Sequence, residues 1–145
     1  MLFRSTGDAQ LTMAQQTPLA GAVIVSTPQD LALLDARRGV AMFKKVEVPI
    51  LGIVENMSYF ICPECGHRSD IFAHGGARHE AERLHVPFLG EIPLATPIRE
   101  TSDGGRPIGA SDPDSPHAKA YVALARQVKA GLSGPARAAP RIVIE

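Results

Sequence analysis

The chain has 145 residues, of which 45% are apolar and 21% charged, enough for one domain with a buried core. Its 15 basic and 15 acidic residues cancel, and no dense basic stretch offers a phosphate-backbone footprint, so nucleic acid is disfavoured as a partner. No apolar run reaches the roughly 18 residues of a membrane span, and Met1 to Gln16 lacks the apolar core of a secretory signal, so a reducing, cytoplasmic compartment is expected.

The first twenty or so residues show no clear strand. Gly21-Ala22-Val23-Ile24-Val25 is a β-branched apolar run and predicts a buried, parallel-type strand. Thr27 then reads as a helix N-cap with Pro28 at the first helical position. Leu33, Ala36, Val40 and Phe43 fall on one face of that helix, and Lys44 and Lys45 close it where cations suit the dipole. Ile50 to Val54 predicts a second strand. The order strand, helix, strand implies a right-handed crossover and a parallel sheet.

Ser58 to Gly75 reads as a long loop. Gly76 to His85 predicts a short helix with Ala77, Ala81 and Leu84 inward, and Phe88 to Ile92 a third strand. Pro93 to Thr101 suits one or two helical turns, and Ser102 to Ser115 is Gly/Pro/Asp/Ser-rich and reads as loop. Residues 116–132 predict a last helix with Tyr121, Leu124, Ala125 and Val128 as its apolar stripe. Residues 133–145 read as a flexible tail, with Ile142-Val143-Ile144 open to an edge-strand reading.

Chemistry concentrates in Cys62-Pro63-Glu64-Cys65-Gly66-His67, which holds the only two cysteines. Proline stiffens such a turn, glycine permits it, and backbone amides aimed at sulfur favour the thiolate. Two thiolates three positions apart hold one edge of a soft metal or an iron–sulfur cluster but supply half of the usual four ligands. His67 and His74 could complete a local zinc site, or a second copy of the chain could supply the rest. A thioredoxin-like redox pair and a pair of unliganded thiols are the other readings. His79, His85 and His117 read as solvated or core histidines. Asn56 follows the second strand, at the carboxyl end where open α/β sheets bind ligands, and its amide can read a purine edge; a turn residue is the plainer reading. No Gly-x-x-x-x-Gly-Lys-Ser/Thr occurs, and none of the four lysines follows a glycine, so no cradle for β- and γ-phosphates is evident.

Taken together, Pro18-Leu19-Ala20-Gly21-Ala22-Val23-Ile24-Val25-Ser26-Thr27-Pro28-Gln29-Asp30, Gly52-Ile53-Val54-Glu55-Asn56-Met57-Ser58, Cys62-Pro63-Glu64-Cys65-Gly66, Phe72-Ala73-His74-Gly75-Gly76-Ala77 and Phe88-Leu89-Gly90-Glu91-Ile92-Pro93 resemble the Mrp/ApbC family. These are iron–sulfur cluster carriers, P-loop NTPases related to the MinD group. The resemblance implies a doubly wound α/β fold. It implies a homodimer whose Cys62 and Cys65 pairs bridge one [4Fe–4S] cluster for transfer to apo-proteins, and it implies that Asn56 contacts adenine.

The family also carries a phosphate loop and an Asp-x-Pro-Pro-Gly-Thr-Gly-Asp segment, of which Thr6-Gly7-Asp8 alone is found here. The chain is therefore expected to be the carboxyl-terminal half of a family member: α/β, a partial doubly wound parallel sheet. Residues 1–132 would form a truncated carrier domain, and 133–145 the tail. ATP and magnesium would serve full-length relatives, with no ATPase activity expected from this chain alone. An ATPase completed by a separate phosphate-loop fragment, a zinc-stabilised structural fragment and a non-functional truncated product are the alternatives.

Overall fold

The computed structural model describes residues 9, 12–14 and 16–132. Strand β1 is Ala22–Ser26, helix α1 Asp30–Lys45, β2 Ile50–Ile61, β3 Arg68–Ser69, α2 Gly76–Leu84, β4 Phe88–Leu94, α3 Thr96–Asp103, α4 Ile108–Ser111 and α5 Pro116–Gly131. The expected tail, with Ile142 to Ile144, lies outside the described residues. In the first twenty, Ala9, residues 12–14 and Gln16 are helical.

β2 is the central strand. It pairs in parallel with β1 on one side, Ala22 opposite Ile50 through Ser26 opposite Glu55, and in parallel with β4. Its far end pairs antiparallel with β3, Phe60 opposite Ser69 and Ile61 opposite Arg68. The two parallel pairs are joined through α1 and α2, as a strand–helix–strand order requires.

Strand alternation then builds two cores. Ile24 and Ile53 face α1 and α2 and pack with Leu33, Ala36, Val40, Ala77 and Ala81. Val23 and Val54 face the other way, with Leu89 and Ile92, against Ala120, Leu124 and Val128 of α5. One bulge adjusts the parity. Between Ile53 and Val54 the β4 partner steps from Phe88 to Gly90, so one β4 residue is extra and Leu89 and Ile92 serve the same core. Two-sided burial explains why both first strands read as unbroken apolar runs.

Several expectations shift. Helix α1 starts at Asp30 with Gln29 as its cap residue, and Thr27 Oγ1 instead donates to Gln29 Oε1 at 3.2 Å. On α5 the inward face is Ala120, Leu124 and Val128, while Tyr121 and Ala125 are exposed. The stripe is rotated by one position because its target is the small patch over Val54 and Leu89. The start of α5 is as expected: Pro116 follows Ser115, whose side chain accepts from Ala118 N. A short helix, α4, interrupts the segment read as loop, anchored by buried Ile108.

The largest shift concerns β2, which runs twelve residues to Ile61 instead of stopping at Val54. The charged Glu55 and polar Asn56 ended the apolar run in sequence. In the fold Glu55 is fully buried and its carboxylate is satisfied, so the strand continues.

Two further contacts fix the layers. Gly52 has φ +153°, and a Cβ there would lie 2.5 Å from Leu89 Cγ and 2.7 Å from Pro87 O. Only glycine lets the end of β4 come close enough for Ile53 N to donate to Pro87 O at 2.8 Å. Across α1 and α2, the Arg37 guanidinium donates to the Glu80 carboxylate, with Nε to Oε2 at 2.7 Å, and Arg83 adds a 3.2 Å contact. Arg37 holds the Glu80 carboxyl below its ordinary value against the opposing pull of burial. Gly52→Ala is expected to destabilise the fold by about 2–4 kcal/mol in urea titration, through strain at positive φ and overlap with β4.

Candidate functional site: a cysteine hairpin at the end of the central strand

β2 leaves the sheet as one arm of a hairpin and β3 is the return arm. The cysteines occupy its tip rather than a long loop. Cys62 N donates to His67 O and Gly66 N to Cys62 O, each at 2.9 Å, which closes the turn around Pro63 and Glu64. Gly66 has φ +71° with open space where a Cβ would be, so glycine is there for its backbone and not for a close approach. Cys62 is half-buried and Cys65 exposed, and both are free thiols. Backbone amides of Cys65 and Glu64, then the Cys65 thiol, hydrogen-bond the Cys62 sulfur and pull its pKa below the ordinary thiol value. This is the arrangement a soft-metal ligand needs: a stabilised thiolate, solvent access, and a partner sulfur in the same turn.

The histidines weighed as additional ligands are elsewhere. His67 is exposed, and His74 is engaged with Ser58 and Arg68. Among the described residues no group of three or more His, Cys, Asp or Glu converges as a metal cage. The local zinc site using His67 and His74 is therefore not assembled in the fold.

Glu55, just past the expected end of the second strand, is a polar group the sequence does not single out. Its carboxylate accepts from Ser58 Oγ at 2.6 Å, Gly75 N at 2.9 Å and Ala77 N at 2.7 Å. The last two are amides at the amino end of α2, where the helix dipole favours an anion. The one sequence signal that could have found it is the Gly75-Gly76 pair ahead of a helix with no acidic residue in its first turn.

Asn56 lies next to Glu55, in register with Ile92 near the carboxyl end of β4. Its Oδ1 accepts from Met57 N at 3.0 Å, and Met57 has φ +54°, so a local kink follows it. An apolar groove of about 600 Å³ opens between the hairpin and the β4–α3 connection, lined by Tyr59, Phe60, Ile61, Pro63, Leu94 and Pro97, with Glu100 and His117 among its polar groups. His117 Nδ1 is buried there without a hydrogen-bond partner. Asn56 does not line this groove.

Comparison with known proteins fits this geometry. The model of the ParA-type NUBPL iron-transfer P-loop NTPases matches residues 4–129. The chain belongs to this family. It is 58% identical over 123 residues to the iron-sulfur cluster transfer protein NUBPL of Dictyostelium discoideum, covering 85% of this chain and 38% of that protein. A nucleotide-binding protein from Archaeoglobus fulgidus, solved with ADP and Co, superposes with a TM-score of 0.61 at 43% identity, over 70% of this chain and 42% of that one. The cell-division ATPase MinD of Pyrococcus furiosus also gives 0.61, at 30% identity, over 77% of this chain and 43% of its own.

These matches correct the expectation of a carboxyl-terminal half with a partial sheet. Curated relatives align over 83–88% of the chain and solved folds cover 70–77% of it, so the likeness is to nearly all of what is present. The physical reason is visible in the layers: helices cover both faces of the sheet, and each core is made within these residues. The chain spans about two fifths of the length of the relatives it matches, 34–42% of each. Among the described residues no helix is long and apolar enough to cross a membrane.

The lowered Cys62 pKa has a direct consequence. A depressed pKa leaves more thiolate at a given pH, so Cys62 should alkylate faster than Cys65 near neutrality. The pH midpoint of its reaction should lie below that of an ordinary thiol. Mass-spectrometric mapping of iodoacetamide labelling across pH 6–10 measures both, and Cys65→Ala should move the midpoint upward by removing the Cys65 side-chain donor.

Proposed function

We propose that this chain is an iron–sulfur cluster carrier module that holds its cargo through Cys62 and Cys65. The observation that carries the reading is the pairing of free Cys62 and Cys65 at the tip of a hairpin whose turn is closed by backbone hydrogen bonds. Soft thiolate donors suit iron–sulfur cargo. A pair on one turn supplies two ligands, and the remaining two come from the same turn of a second copy, giving four thiolates around one [4Fe–4S] cluster. Exposed Ile61 and Pro63 and half-buried Phe60 beside the tip offer apolar surface for that pairing. Relatives bear the names iron-sulfur cluster transfer protein and iron-sulfur cluster carrier protein, which supports the same reading. An exposed site suits hand-over to apo-proteins, because an incoming thiolate can replace Cys65 and then Cys62 one bond at a time, each departing sulfur keeping its electron pair.

Asn56 is proposed to read an adenine edge with its amide, as its place at the carboxyl end of β2 suits. Residues 1–132 are proposed as the carrier domain. The 145 residues hold no Gly-x-x-x-x-Gly-Lys, so ATP hydrolysis by this chain alone is not expected.

Anaerobic reconstitution with iron and sulfide tests the reading. The expected product absorbs in the thiolate-to-iron region, contains iron and sulfide in equal amounts, and runs as a dimer that reverts to monomer when iron is chelated. Cys62→Ser and Cys65→Ser should each abolish both the colour and the dimer. A chain that stays colourless under these conditions, or takes up one zinc per monomer with His67 as a ligand, is not this carrier.

A further inference from the structure

The cysteine hairpin is thinly attached. Its ladder is two residue pairs long, and among the described residues the return arm is anchored by side chain through Arg68. The Arg68 guanidinium sits 4.3 Å from the Tyr59 ring centroid and donates from Nη2 to the His74 ring. His74 lies 3.0 Å by Nδ1 from Ser58 Oγ and 3.4 Å from the Ser58 carbonyl oxygen.

The Ser58 hydroxyl hydrogen is committed to Glu55 at 2.6 Å, and the Ser58 carbonyl can only accept. The ring is bracketed between them and Arg68, whose Nη2 lies 3.2 Å from Nδ1 and 3.3 Å from Nε2. The ring is thus oriented from below by a fully buried pair, Glu55 and Ser58, that is itself fastened to the α2 amides. Glu91 Oε1, 3.9 Å from Nε2, is occupied by Arg78 at 3.2 Å.

We propose that His74 is a positioning residue: it relays the rigid Glu55–Ser58 anchor to Arg68 and so pins the return arm of the cysteine hairpin to the sheet. It touches neither sulfur. Its consequence for cargo rests on the carrier reading above: a pinned arm keeps Cys62 and Cys65 in one orientation, and an unpinned arm lets the cargo leave sooner.

Hydrogen exchange on the reduced, metal-free chain tests the pinning without any cargo. His74→Ala removes two hydrogen bonds, so exchange at the Cys62 and Gly66 amides should speed by about tenfold, with the Ile53 amide in the core unchanged. His74→Gln, whose side chain can both donate to Ser58 and accept from Arg68, should restore slow exchange. Arg68→Ala, which also loses the Tyr59 contact, should be at least as fast as His74→Ala, and the double variant should be no faster than Arg68→Ala, because His74 acts on the arm through Arg68. Hairpin amides that keep the parental rate in His74→Ala overturn the proposal, as does an additive double variant. If His74→Ala also loosens the Ile53 amide, Arg68→Ala, on the exposed arm, decides. In the reconstituted protein His74→Ala should release iron to a chelator about tenfold faster, in proportion to the loosened arm. Failure of the parental chain to load cluster would count against the carrier reading only, since the metal-free exchange rates judge His74 independently.

Discussion

The buried Glu55 carboxylate is the contact on which the functional end of this protein depends. A carboxylate inside a sheet is costly unless both oxygens are hydrogen-bonded. Here the Ser58 hydroxyl and one amide at the start of α2 bond Oε1, and a second α2 amide bonds Oε2. Hydrogen bonds to a charged group contribute about 1.5–3 kcal/mol each, so the site holds β2 and α2 in one relative position. That lets β2 continue beyond the apolar core and carry a hairpin out past the edge of the layers.

The rest of the sheet serves to hold β2 straight. Parallel neighbours on both sides and helices on both faces leave its central residues no exposure, with Ile53 at 0%. Gly52 permits the close approach of β4, and the bulge at Gly90 keeps both cores apolar. The Arg37–Glu80 pair locks the two helices that cover one face. Rigidity below and a short, exposed turn above are what the proposed carrier role would call on.

The division of labour within the hairpin follows from its hydrogen bonds. Backbone amides of the turn act on the Cys62 sulfur, while Cys65 stays in solvent. The two cysteines are chemically unequal although they are separated by two residues.

Much of this was legible in the chain itself. β-branched runs at Val23 to Val25 and Ile50 to Val54, the periodicity of α1, and the start of α5 at Pro116 fix local structure, because their signals come from neighbours a few residues away. The tightness of the Cys-Pro-Glu-Cys-Gly turn is local for the same reason. What the sequence could not decide was anything that balances over distance. Glu55 looks like the end of a strand until α2, twenty residues on, brings its amides to the carboxylate. His74 looks like a metal ligand until Ser58 and Arg68 claim both ring nitrogens. The apolar face of α5 depends on which side of β2 it meets. Local pattern determines which elements form, whereas burial of a polar group is affordable only where tertiary structure delivers its partner.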